Sequence, residues 1–143
     1  MSDETSIKQR LEERAQVMGN KDAKGAVQFY SLDVVNFDLA PPLAHRGHEA
    51  TDPASLQGWF DTWEGPIGFE FDQLDVRVYG ELGLAFGFLH MTGKRTDGSD
   101  TDVWARFTVG LERRSGQWMI VHEHQSFPTM MDGSGKSASH LRP

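Results

Sequence analysis

Apolar residues recur at helical spacing from Ile7 through Leu11 and Ala15 to Met18, behind a Ser6-x-x-Gln9 capping box, and predict a first amphipathic helix ending near Gly19-Asn20. Asp22 is placed to cap a short second helix carrying Ala26, Phe29 and Tyr30. The β-branched run Val34 to Leu39 predicts a strand closed by Pro41-Pro42. Val35, Phe37 and Leu39 share one side of it, and Val34, Asn36 and Asp38 the other. Asp52-Pro53 then reads as a cap with proline at the first helical turn. Leu56, Trp59, Phe60 and Trp63 form an apolar stripe that stops at Gly65-Pro66.

From Ile67 the period changes to two. Ile67, Phe69 and Phe71 fall on odd positions and Leu74, Val76 and Val78 on even ones, so a bulge or bend is expected near Asp72-Gln73. Strands of about 84–94, 101–113 and 117–127 follow, separated by Asp97-Gly98 and Ser115-Gly116 turns. The predicted order α-α-β-α-β-β-β-β describes an α+β domain, with three N-terminal helices covering one face of a bent antiparallel sheet. Residues 1–131 form the domain, and the Gly/Ser-rich segment 132–143 reads as a flexible tail.

The last hairpin can be divided into two faces. A three-residue loop Arg114-Ser115-Gly116 would pair Arg113 with Gln117 and bring Thr108 to His122, Arg106 to His124 and Trp104 to Ser126, with Ile120 on the same face. The other face carries Val103, Ala105, Phe107, Val109 and Leu111 beside Val121, Glu123, Gln125 and Phe127. A two-residue loop would shift the pairing by one and mix the sets. If the apolar face is the covered one, Glu123 and Gln125 point into a cavity. A covered carboxylate there needs a partner and should have its pKa pushed upward, as an acid/base or a ligand hook requires. The alternative puts Glu123 at the rim, paired with an arginine or hydrated.

Composition narrows the chemistry. The 143 residues carry a formal net charge of −7 and no Lys/Arg-rich run, so nucleic acid is not an expected partner. Cysteine is absent, which removes thiol nucleophiles and Cys-ligated metals. No signal-like or spanning apolar run occurs, so no membrane partner and a cytoplasmic location are expected. His122-Glu123-His124 places two imidazoles about 7 Å apart on one face. No third ligand is set by spacing, and no metal is expected. An interface suits Trp104, Arg106, His122, His124 and Ser126 better. His90 lies on the face Leu84-x-Phe86-x-Phe88-x-His90, either as a satisfied core histidine or as a pocket acid/base. Asp38 is either a strand-end cap or a site carboxylate. Tyr30, Trp59, Phe60 and Trp63, with Phe88, Val109 and Gln125, are the candidate ligand wall.

The pattern Phe29-Tyr30, Asp33-Val34-Val35-x-Phe37-Asp38, Gly47, then Arg106-x-Thr108, Gly116-x-Trp118 and Val121-His122-Glu123-His124-x-Ser126 resembles a SnoaL-like member of the ketosteroid isomerase and nuclear transport factor 2 superfamily over about residues 6 to 128. Its closing Gly-x-Trp and His-x-His-x-Ser run is also similar to the association domain of calcium/calmodulin-dependent kinase II, an oligomerisation module. The resemblance implies a cone-shaped α+β fold with a deep pocket, dimeric through the outer sheet face. It places Asp38 at the position of the isomerase base. It also puts Arg14 or Ala15 where the isomerase has its oxyanion tyrosine, and Val109 near its second acid, so ketosteroid isomerase activity is not expected. The association domain's pocket arginine is replaced in this sequence, near His90.

The function expected is therefore homodimeric binding of an apolar or amphipathic small molecule. Catalysis, where present, would be cofactor-free proton transfer of the isomerase, cyclase or dehydratase type, by Asp38, His90 and Glu123. The alternative is a non-catalytic association module.

Overall fold

The computed structural model describes all 143 residues. Helix α1 (Asp3–Gly19) starts one turn before the expected box. Ser2 is its cap, its hydroxyl accepting from the Thr5 N–H at 3.1 Å, and Asp3 and Glu4 complement the dipole of the first turn. Ile7, Leu11, Arg14, Ala15 and Met18 form its buried stripe, so a charged residue lies among the apolar ones. Asp22 caps α2 (Ala23–Val27), and its carboxylate accepts from the Gly25 N–H. Strand β1 (Tyr30–Phe37) begins earlier than its β-branched run, with Val34 and Asn36 buried on the inward side.

Two elements were not expected. β2 (His45–Arg46) pairs antiparallel with β1, Asn36 opposite His45, and α3 (His48–Thr51) follows it. Neither is long enough to show a period. α4 (Pro53–Phe60) opens as expected, with Asp52 accepting from the Ala54 N–H. It ends at Phe60, because Trp63 already belongs to the next strand.

β3 (Trp63–Tyr79), β4 (Leu82–Arg95), β5 (Asp100–Arg114) and β6 (Gln117–Ser126) complete one six-stranded sheet in the order β2-β1-β6-β5-β4-β3. All pairings are antiparallel except β1 with β6, which run parallel, so the sheet is mixed rather than purely antiparallel. The β3 phase change is a bulge between Asp72 and Asp75, with Gln73 at φ 55°. A Cβ on Gly87 would come within 2.9 Å of the Asp72 carbonyl oxygen, so the bulge closes directly over a glycine.

The β5–β6 turn is the two-residue Ser115-Gly116, both at positive φ as a type I′ turn requires, and Arg114 pairs with Gln117. Ile120 therefore faces inward, fully buried opposite Leu111, and not outward as the three-residue loop had placed it. A bulge at Val121, between the Leu111–Ile120 and Gly110–His122 pairs, then restores the expected faces. Thr108 meets His124 and Arg106 meets Ser126, two residues from the expected register, while Glu123 and Gln125 still point inward.

The inward face packs against α1 in one core with Phe60, Leu89, Phe107 and Leu111. Residues 132–143, expected as a flexible tail, turn back on the body. Thr129 bridges Ser137, Ala138 is buried and donates its N–H to the Pro128 carbonyl, and Arg142 donates to Asp102. No helix is long and apolar enough to cross a membrane.

Candidate functional site

Between α1, α2, α4 and the inward faces of β1 and β6 lies a cavity of about 360 Å³. Its floor is a polar cluster on apolar elements. Arg14 and Glu123 form an ion pair, Nη2 to Oε2 at 3.1 Å, with both side chains only 2% exposed. Tyr30 bridges them, accepting from Arg14 Nη2 and donating its hydroxyl to Glu123 Oε2 at 3.1 Å. Gln125 donates to Glu123 Oε1 at 2.7 Å, so both carboxylate oxygens are engaged. This is the partner that a covered carboxylate needs.

Burial alone would disfavour the Arg14 charge, but Glu123, Tyr30 and Asp38 outweigh it and raise the pKa. Burial also pushes the Tyr30 hydroxyl far up, with Glu123 adding to this and Arg14 opposing it. The floor thus holds a fixed cation and a neutral phenol.

Asp38 follows β1 and lines the mouth. Its carboxylate stands 3.5 Å from His45 Nε2, and the two side chains are 41% and 26% exposed. Burial raises the Asp38 pKa and the neighbouring Glu123 raises it further, while His45 and Arg14 pull it down. Leu56, Trp59, Phe69 and Met91 supply the apolar wall.

Of the residues expected at the site, the cavity brings together Asp38, Glu123, Tyr30, Trp59 and Gln125. Phe60 and Trp63 belong to the core instead, Trp63 lying beneath the Arg95 guanidinium at 4.2 Å. Val109 is fully buried under Glu123, its partner across the β5–β6 pair. Phe88 and His90 face the other side of the sheet, opposite Arg106 and Trp104, because the inward positions of β4 are Ala85, Leu89 and Met91. His90 stacks on Trp104 at 4.0 Å and its Nε2 lies 2.7 Å from Asp102, remote from the cavity as a proton donor.

The five interface candidates do share the outer face. Arg106 donates to Ser126 Oγ at 3.1 Å, His122 Nδ1 donates to the Val35 carbonyl, and Phe37 packs edge-on between His122 and His124. No group of three or more His, Asp or Glu side chains has a metal-holding arrangement.

Three cavity residues, Arg14, Asn36 and His45, had not been singled out as carriers of chemistry. Arg14 had a signal, a charge on the apolar stripe of α1. Asn36 shared the parity of Asp38. His45 had none, since β2 is two residues long.

A SnoaL-like domain family model matches residues 7–130. No curated protein matches the chain. Among solved structures, an NTF2-like protein of unknown function from Pseudomonas putida KT2440 is 31% identical over 98% of this chain and 96% of that one, with a TM-score of 0.85. A candidate scytalone dehydratase from Novosphingobium aromaticivorans is 12% identical, covering 94% and 90%, at a TM-score of 0.77. The calcium/calmodulin-dependent kinase II hub homology domain of a Chlamydomonas alga is 16% identical, covering 88% and 98%, at 0.69. At 12% and 16% identity the latter two likenesses concern the fold alone, whereas the family model matches residues 7–130 and the Pseudomonas structure is 31% identical. With its cone of sheet and helices around a polar-floored cavity, the chain belongs to the SnoaL-like family of the NTF2-like superfamily.

Proposed function

We propose that this protein binds an amphipathic small molecule in the cavity and moves a proton on it with its own side chains, in an isomerase, cyclase or dehydratase type of reaction. Asp38 acts as the base, and His45 holds the carboxylate and returns the proton. The observation that carries this reading is the Asp38–His45 pair at the mouth of a cavity on whose floor both carboxylate oxygens of Glu123 are already engaged by Arg14, Tyr30 and Gln125. Glu123, with both oxygens bonded, braces the floor and is a poor proton acceptor. Asp38 faces only His45, at 3.5 Å from one oxygen, and its raised pKa brings it closer to working pH.

A second reading concerns the outer face, where Phe88, Trp104 and Arg106 adjoin in β4 and β5. A twofold copy of the chain would cover these groups, giving a homodimer beneath the ligand site or, without ligand chemistry, an association module.

A thermal-shift screen of apolar and amphipathic metabolites, paired with tryptophan fluorescence because Trp59 lines the cavity, tests the first reading. Ligands of the cavity should raise the melting temperature and change the emission. A screen with no stabilising compound would overturn it.

A further inference from the structure

The geometry points to an amide-reading subsite: Asn36, which lines the cavity together with Arg14, recognises an uncharged head group that offers a carbonyl oxygen next to an N–H. The inference rests on the cavity being a ligand site and adds the class of ligand.

Asn36 is 3% exposed on the inward side of β1, in register with Glu123 on the parallel strand β6. Its carboxamide has no partner in the protein. Oδ1 is buried and unmet, and the neighbouring acceptor, Glu123, is already taken by Arg14, Tyr30 and Gln125. Leaving a buried amide unmet carries its full desolvation penalty, which leucine, of similar size, would avoid.

Nε and Nη1 of Arg14 are buried and unmet as well. The other orphaned side-chain atoms, on Ser31, Trp63 and Trp104, belong to residues that do not line the cavity. Buried unmet polarity at the cavity wall is therefore confined to one amide and one guanidinium.

Charge selects among ligands that could meet these groups. The lining holds four carboxylates, Asp38, Glu49, Asp52 and Glu123, against Arg14 and His45. Since Arg14 is already paired with Glu123, an entering carboxylate would meet net repulsion in a partly desolvated space. A carboxamide brings no charge. It can present an acceptor and a donor side by side, the complement of the acceptor and donor of Asn36, with a further lone pair for Arg14. The apolar body would lie along Leu56, Trp59, Phe69 and Met91.

Three probes share one body and differ in the head: 2-naphthamide, 2-naphthoate and 2-methylnaphthalene. Titration calorimetry and thermal shift are run on the wild-type protein and on Asn36→Leu, with Asn36→Val as a second variant if leucine crowds the strand. The expected result is amide binding at least tenfold tighter than that of either other probe. Asn36→Leu should erase the amide advantage, keep 2-methylnaphthalene binding, and melt no lower than wild type.

Equal or tighter binding of 2-naphthoate would overturn the inference in favour of an anion site at Arg14. An amide advantage absent from the wild type, or surviving in the variants, would overturn it while leaving the cavity as a ligand site. Binding of none of the three would overturn both readings.

Discussion

Replacing Arg14 with methionine keeps most of the side-chain volume and removes the charge, so it isolates the floor ion pair. Glu123 would remain 2% exposed with only the Tyr30 hydroxyl and the Gln125 amide as donors. Removing one partner of a buried pair costs about 3–5 kcal/mol, since the survivor is left as an uncompensated charge. The present pair makes a single 3.1 Å contact rather than a bidentate one, and two guanidinium nitrogens already lack acceptors, which argues for the lower end, about 3 kcal/mol. With a urea m-value of about 2 kcal/mol/M, that is a fall of about 1.5 M in the unfolding midpoint. Glu123→Leu should cost a similar amount by stranding Arg14. The double variant should be more stable than either single one, because neither charge is then left alone, so the two losses will be strongly non-additive. Urea unfolding followed by far-UV circular dichroism reads all four proteins. A loss below about 1 kcal/mol for Arg14→Met, or a double variant whose loss equals the sum of the singles, would refute the reasoning that burial makes the two charges interdependent.

Two further outcomes are expected. The folded pKa of Asp38 is raised mainly by burial and by Glu123, so the folded chain holds that proton more tightly than the unfolded one. Its contribution favours folding at low pH and is lost as pH climbs from the ordinary carboxylate value of 3.8 through the raised folded value. Asp38→Asn should therefore gain stability relative to wild type across that window, and denaturant midpoints measured in parallel from pH 3 to 7 would show no divergence if the carboxyl were simply solvated. On the outer face, Arg106→Glu should convert the proposed dimer to a monomer or an aggregate by light scattering, because a twofold contact uses the residue twice, and a dimer that persists would place the interface elsewhere.

The local parts of the architecture were legible because local rules govern them. Asp22 and Asp52-Pro53 announce helix starts through caps that act within one turn. The parity shift across Asp72-Gln73 announces a bulge because pleating leaves no other way to keep both apolar sets inward. The same period of two put Glu123 on the apolar face of the last hairpin, and Asn36 with Asp38 on one side of β1. That placement survived a wrong loop length only because the extra residue at Val121 compensates for the shorter turn. Nothing in the pattern near Ile120 marks the compensation, and Ile120 was accordingly assigned to the wrong side. His90 and Phe88 were misread for a related reason. Both faces of β4 are apolar, so alternation alone does not say which one the helices cover.

The amino-acid order therefore determined which segments could be helix or strand and which side chains share a face, since those follow from backbone sterics and short-range capping. Tertiary structure decided which faces and charges meet. Arg14 becomes a floor cation only because α1 crosses the sheet where Glu123 looks inward. Asn36 becomes the neighbour of Glu123 only because β1 joins β6 in parallel. His45 reaches Asp38 only because a two-residue strand adds to the edge of β1. Each of these contacts is stabilised by pairing and burial between segments with no local preference for one another, and so leaves no periodic trace along the chain.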